Sequence, residues 1–270
     1  MDSTTGSKAT RLMGIFVLLG TALALPMALA WTGRDVTQGD AVRFIYLHVP
    51  AAWTMYLSVF AVFIGSVMWL RHRSVFWDMV AEAASEIGVV FALLVLVTGA
   101  LWGNLTWGTY WEWDARMTST AVLTILLAGH VALRQATPDV DGRATRSAWL
   151  GLALLPNAII VHYAVDWWRG LHQEATIGPT GAEIQDLQLF TWMFSAVIMT
   201  TAWAWLMTHR FRVGFLARQL DVGGVSTALA ERRAEADRTW VDQVDRADDL
   251  DAATPVQATP VHRSAPEGGA

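Results

Sequence analysis

No cysteine occurs in the 270 residues, so disulfides, thiolate metal sites and thiol nucleophiles are excluded at once. Charge is scarce as well. Asp, Glu, Lys and Arg make up 16% of the chain, against roughly 25% in a soluble globular domain. Lys8 is the only lysine among 19 Lys and Arg residues. A glycine-rich phosphate loop, an HExxH, a GxSxG and a convincing carboxylate pair are all missing, so phosphate, acyl-transfer and protease chemistry have no visible site. Any ATP dependence must therefore come from a partner. The net charge of −5, much of it in the C-terminal tail, offers nothing to nucleic acid.

What is abundant is apolar. Hydrophobic residues reach 54% and the mean hydropathy is +0.35, and several runs approach the about 20 residues that cross a bilayer. The pattern predicts an all-α polytopic membrane protein: six transmembrane helices and a cytoplasmic C-terminal tail. The runs are 12–31, 50–70, 87–102, 119–133, 148–165 and 189–207, joined by polar connectors that include a hinge over 134–146. The first run resembles a signal peptide, with Ala28-Leu-Ala30 as a small-residue cleavage site. It is longer than a usual signal core of about 7–15 residues, and retaining it keeps the charge alternation consistent. A retained first helix is expected.

Orientation follows from the Lys/Arg bias in short loops. Lys8, Arg11, Arg71, Arg73, Arg134, Arg143, Arg146, Arg210, Arg212 and Arg218 fall on one side, and Arg34, Arg43, Arg116 and Arg169 on the other. Both termini are therefore expected in the cytoplasm of a cell (inner) membrane protein. Beyond about Gln219 the composition turns charged, then rich in Ala, Thr, Pro and Gly. This divides the chain into a membrane domain, 1–218, and a cytoplasmic tail, 219–270, with a short helix over 225–244 and then disorder.

The chain is organised around one connector, Trp107-Gly-Thr-Tyr-Trp-Glu-Trp-Asp-Ala-Arg116. Tryptophans beside membrane spans usually form interfacial belts, but these are mixed with Glu112, Asp114 and Arg116. Were the stretch helical, Trp107, Tyr110, Trp111 and Asp114 would share a face, an aromatic shelf for a large planar ligand. Histidines are the available imidazole ligands. His48, just before Pro50 at a helix start, and His172, in Trp167-Trp-Arg-Gly-Leu-His172, are both expected at the outer face beside the connector. Two neutral imidazoles suit the axial positions of haem iron, and Arg43, Arg116 and Arg169 are cations available to haem propionates. His72, His209 and His262 read as solvated. His130 and His162, inside spans, are expected to hydrogen-bond across helices, with Asn157 as another polar contact. Glu82 and Glu86, four apart, are expected to face headgroups or a partner subunit.

Trp107-Gly-Thr-Tyr-Trp-Glu-Trp-Asp114, with Phe44-Ile-Tyr-Leu-His-Val-Pro50 and Asp166-Trp-Trp-Arg-Gly-Leu-His-Gln173, resembles the WWD-motif haem-handling membrane family. Six spans and short length resemble its CcmC branch, over about residues 12–210. The resemblance implies haem b held at the outer face with His48 and His172 as iron ligands. It also implies a platform and surroundings of Trp107, Gly108, Tyr110, Trp111, Trp113, Asp114, Arg116, Trp167 and Trp168. The implied partners are a haem chaperone that receives the haem, ABC transporter permease and ATPase subunits, and a small membrane subunit. The implied role is binding and transfer during cytochrome c maturation, not catalysis. Glu112 departs from the pattern by placing a charge among the tryptophans. Two other readings compete: a b-type electron-transfer cytochrome using His130 and His162, and a permease whose tryptophans only mark the interface.

Overall fold

The computed structural model describes residues 7–137, 139–172, 177–178, 181–182, 184 and 186–253. Six of its helices are long and apolar enough to cross a membrane, so the chain is an all-α polytopic membrane protein. In order these are α1 (Lys8–Pro26), α2 (Ile45–His72), α3 (Val75–Trp107), α4 (Ala115–Ala136), α5 (Val140–Trp167) and α6 (Asp186–Ala253). Two antiparallel two-residue strands, β1 (Ile177–Gly178) and β2 (Gly181–Ala182), lie between α5 and α6. By contacts the chain forms two compact units, Met1–Phe215 and Leu216–Ala270. In the second, the described residues are helical as far as Ala253, further than the short stretch expected over 225–244; the expected disorder after it, and His262, lie outside the described residues.

Local chemistry sets the helix ends. Ser7, Asp114 and Asp139 cap α1, α4 and α5, accepting from the backbone N–H of Thr10, Met117 and Gly142. α1 passes through Pro26, which supplies no N–H, into a widened π-helical turn, Met27–Trp31. α2 is preceded by a tight 3₁₀ turn, Asp40–Phe44. Pro50 consequently lies inside α2 rather than in its first turn, and it is His48 that occupies the first turn. The helices outrun the hydropathy windows because their ends pass beyond the hydrocarbon layer: α3 has 33 residues, about 50 Å at the usual rise, against a core of about 30 Å.

The core is built by the four middle helices. Met55, Val59 and Val62 of α2, Ile87, Phe91 and Val95 of α3, Leu123 and Leu127 of α4, and Leu154 and Val161 of α5 form one buried cluster. α1 and α6 bury much less of their length. In lipid, apolar burial no longer separates helix from surroundings, so close packing and polar contacts must hold the bundle. A Cβ on Gly88 would lie 3.0 Å from Ser58 Cβ, which is why α3 can approach α2 there. Trp203 Nε1 donates to Ser58 Oγ at 2.9 Å, and Asn157 Nδ2 to the Ser119 carbonyl at 3.0 Å, as expected of an interhelical polar contact.

Three expectations change at the end remote from the Trp-rich connector. Arg134 belongs to α4, not to a hinge, and is buried; it donates to Asp78 at 2.6 and 3.1 Å, to Glu82 at 3.1 Å and to Ser147 Oγ at 3.0 Å. Arg210 of α6 donates to Glu86 at 2.5 and 2.6 Å. Glu82 and Glu86 therefore face cations of their own chain, because α3 begins three turns earlier than its apolar run suggested. His130 also differs: it is fully buried, and neither ring nitrogen has a hydrogen-bond partner among the described residues.

Candidate functional site

Chain order places the C-termini of α1, α3 and α5 with the N-termini of α2, α4 and α6. Cross-links confirm that these ends meet: Arg43 donates to the Ala28 carbonyl at 2.8 Å, Trp102 Nε1 to Gln38 Oε1 at 2.9 Å, and Gln188 to the Gly33 carbonyl at 3.2 Å. Between them lies a cavity of about 330 Å³ whose lining includes His48, Trp107, Arg116 and His172.

His48 projects from the first turn of α2. Its Nδ1 is 2.9 Å from Thr98 Oγ1 on α3, and that hydroxyl donates its own hydrogen to the Leu94 carbonyl at 2.7 Å. With its hydrogen on Leu94 the hydroxyl accepts from the ring, an arrangement in which Nδ1 carries the proton and Nε2 keeps a bare lone pair. The ring lies against α3 because residue 99 is glycine: a Cβ there would come within 3.0 Å of His48 Cε1. Trp102 presses edge-on to the imidazole, 5.7 Å between centroids.

His172 lies in the connector after α5. Its Nδ1 is 2.5 Å from Asp114 Oδ2, while Asp114 Oδ1 accepts the Met117 N–H at 2.7 Å. A carboxylate can only accept, so here too the proton is on Nδ1 and Nε2 is bare. Burial lowers the His172 pKa from its ordinary value, and the hydrogen bond and charge of Asp114 oppose that without reversing it. That direction favours the neutral imidazole, the form that ligates metal. Trp107 packs at 4.8 Å, tilted by 67°.

The connector is not helical. α3 ends where Gly108, at φ 76°, caps it in the left-handed region that favours glycine, and residues 109–114 are irregular. Trp107, Tyr110, Trp111 and Asp114 therefore share no helix face, and the shelf is assembled by tertiary packing. Trp107 turns into the cavity, Trp111 and Trp113 meet edge to face at 5.4 Å with 77° between their planes, and Tyr110 and Trp113 are exposed. Trp167 stacks on Tyr163 at 5.4 Å, and Trp167 and Trp168 are exposed outside the cavity lining.

Of the three arginines offered for propionates, Arg116 lines the cavity and donates to the His162 carbonyl at 3.2 Å. Arg43 is engaged by Asp40 and the end of α1, and Arg169 is exposed away from the lining. Sequence reading missed Tyr56, Thr98, Gly99, Trp102, Gly103 and Trp192, which support or line the cavity. Thr98, Gly99, Trp102 and Gly103 recur at helical spacing on α3, a signal present in the chain but indistinguishable there from ordinary helix packing. The intramembrane histidines do not converge. His162 lines this cavity, whereas Gly129, next to His130, faces Leu150, twelve residues down α5 and so about 18 Å below His162.

Fold and site together define a multi-pass helical membrane protein with a two-histidine, tryptophan-walled cavity at one end. Comparison with known families is decisive: residues 3–225 match the model of the heme exporter protein C (CcmC) family, and the chain belongs to that family. It is 37% identical over 193 residues to heme exporter protein C of Bradyrhizobium diazoefficiens, covering 69% of this chain and 71% of the relative. It is 45% identical over 148 residues to that of Escherichia coli K12, covering 53% and 58%. A putative cytochrome c biosynthesis ccmC-like mitochondrial protein of Marchantia polymorpha is 37% identical over 164 residues, covering 61% and 69%.

Proposed function

We propose that this protein binds haem b at the outer face of the cell (inner) membrane, its iron between His48 and His172, and presents it to a haem chaperone. The coarse role follows from the family: haem handling for cytochrome c maturation, a transport function rather than catalysis. The carrying observation is the pair of imidazoles on one cavity, each with Nδ1 engaged and Nε2 without a hydrogen-bond partner among the described residues.

The residues suit the group. Two nitrogens are too few for a bare ion, and no cluster of three or more His, Asp or Glu among the described residues is placed to hold one. A porphyrin supplies the other four positions on iron, leaving two axial sites for imidazole. Trp102 and Trp107 give the macrocycle apolar walls, and glycines at 99 and 103 let His48 and Trp107 pack closely against α3. Arg116 is the cavity's cation for a propionate. The exposed Tyr110, Trp113, Trp167 and Trp168 form the surface offered to the chaperone, and Glu112 adds a charge to it. Both termini, with the tail 219–270, lie in the cytoplasm. ATP hydrolysis belongs to partner ABC transporter permease and ATPase subunits, joined by a small membrane subunit.

The test is a visible spectrum of the purified protein with His48→Ala and His172→Ala. A bis-histidine spectrum lost or shifted in both variants is expected. Haem retained unchanged in both would transfer the reading to an intramembrane site. No haem in any version, even when supplied, would leave the permease reading.

A further inference from the structure

The two histidines are held by unlike partners, and the difference lies in the motif itself. His48 gives its Nδ1 proton to a hydroxyl, Thr98; His172 gives its own to a carboxylate, Asp114. We propose that Asp114, the acid that closes the Trp-rich connector, is the positioning residue for His172 and makes it the stronger of the two iron ligands. This rests on the reading of His48 and His172 as the ligands, and assigns Asp114 to act through His172 rather than on haem directly.

Asp114 is placed for the task by both of its oxygens. Oδ1 is fixed by the Met117 N–H at the start of α4, so the side chain cannot swing away, and this aims Oδ2 at His172. Gly170 permits the approach, since a Cβ there would lie 3.2 Å from Asp114 Oδ2. A carboxylate on Nδ1–H pins the ring and its tautomer and pushes electron density to Nε2, raising its basicity as a ligand. A hydroxyl acceptor does the same more weakly. The acid thereby couples the geometry of the connector to the grip on iron: a rearrangement that moves residue 114 loosens His172.

The cap supplies a clean perturbation. Asparagine and serine cap helices about as well as aspartate, so Asp114→Asn and Asp114→Ser should keep α4. In Asp114→Asn, Oδ1 remains on the Met117 N–H and the amide N–H₂ faces His172 Nδ1. Nδ1 must then accept, the proton moves to Nε2, and the ligating lone pair is lost, as in the Asp-to-Asn change of a catalytic triad. Serine is too short to reach and leaves the ring unheld.

The experiment titrates haemin into the full-length apoprotein in detergent for wild type, Asp114→Asn, Asp114→Ser, Thr98→Val and His172→Ala. Nitrogen NMR of the apoprotein reads the His172 tautomer, and helical circular dichroism controls for folding. Expected results are an Nε2-protonated His172 in Asp114→Asn and a loss of haemin affinity of about tenfold or more in both Asp114 variants. The loss in Thr98→Val should be smaller, and the haem midpoint potential should rise most in Asp114→Ser. Wild-type affinity in both Asp114 variants, or a Thr98→Val loss as large as theirs, overturns the proposal. If His172→Ala itself leaves haem ligation unchanged, the underlying ligand assignment has failed instead.

Discussion

The buried Arg134–Asp78 pair gives a large stability effect that the structure defines atom by atom. Side-chain exposure is 5% for Arg134 and 2% for Asp78, and the guanidinium grips both carboxylate oxygens at 2.6 and 3.1 Å. Removing one partner of such a pair leaves an uncompensated buried charge and costs about 3–5 kcal/mol. In Asp78→Ala the loss should fall near the lower figure, because Glu82, at 3.1 Å and 25% exposed, still faces Arg134. About 3 kcal/mol is more than a hundredfold in the unfolding equilibrium. The assay is SDS-driven unfolding in mixed micelles, followed by tryptophan fluorescence, for Asp78→Ala, Arg134→Ala and the double variant. The double variant removes both charges and should be more stable than the sum of the single losses, with a coupling of about 2 kcal/mol. Single losses within about 0.5 kcal/mol of zero, or additive behaviour, would refute the ion pair as a fixed, buried link between α3 and α4.

Three further outcomes are expected. In the apoprotein, His172 should titrate below its ordinary value of 6.5, so protonation opposes folding. This part of the stability is present above about pH 6.5 and declines as pH falls toward the lower folded-state value; an NMR titration midpoint at or above 6.5 would contradict it. Gly99→Leu should abolish haem retention, since even a Cβ meets His48 Cε1 at 3.0 Å and the remaining atoms must enter the cavity; undiminished haem in the purified variant would contradict the site. Gln38→Ala removes the acceptor of the Trp102 indole. It should cost about 1 kcal/mol in the same micelle assay and loosen the wall beside His48, and a stability unchanged from wild type would count against that contact.

The two candidate ligands illustrate how far a sequence reaches into a site. His48 and His172 were legible because each sits among aromatic residues at a span boundary, where a polar ring is out of keeping with its neighbours. Their supports were not legible. Thr98 is one of many threonines in apolar helices, and nothing local says that its hydroxyl meets a ring 50 residues away. The same holds for Glu82 and Glu86. Four-residue spacing gave their common face, but the partner cations stand on α4 and α6.

By itself the sequence determined the class of the protein. Runs of about 20 apolar residues cannot leave backbone groups unpaired in lipid, so they must be helices, and their number and loop lengths make a six-span bundle. It did not say where α3 stops: the apolar run ended near residue 102, whereas the helix continues to Trp107 and ends at Gly108, in a conformation that other residues resist. The tertiary structure decided everything that depends on a second helix. It made the connector an irregular turn instead of a helical shelf, brought Asp114 onto His172, and separated His130 from His162 by depth. Periodicity fixes which face a residue occupies, but depth and partner depend on how helices slide and rotate against one another. That is settled by packing between residues far apart in the chain, such as Gly88 against Ser58 and Gly99 against His48.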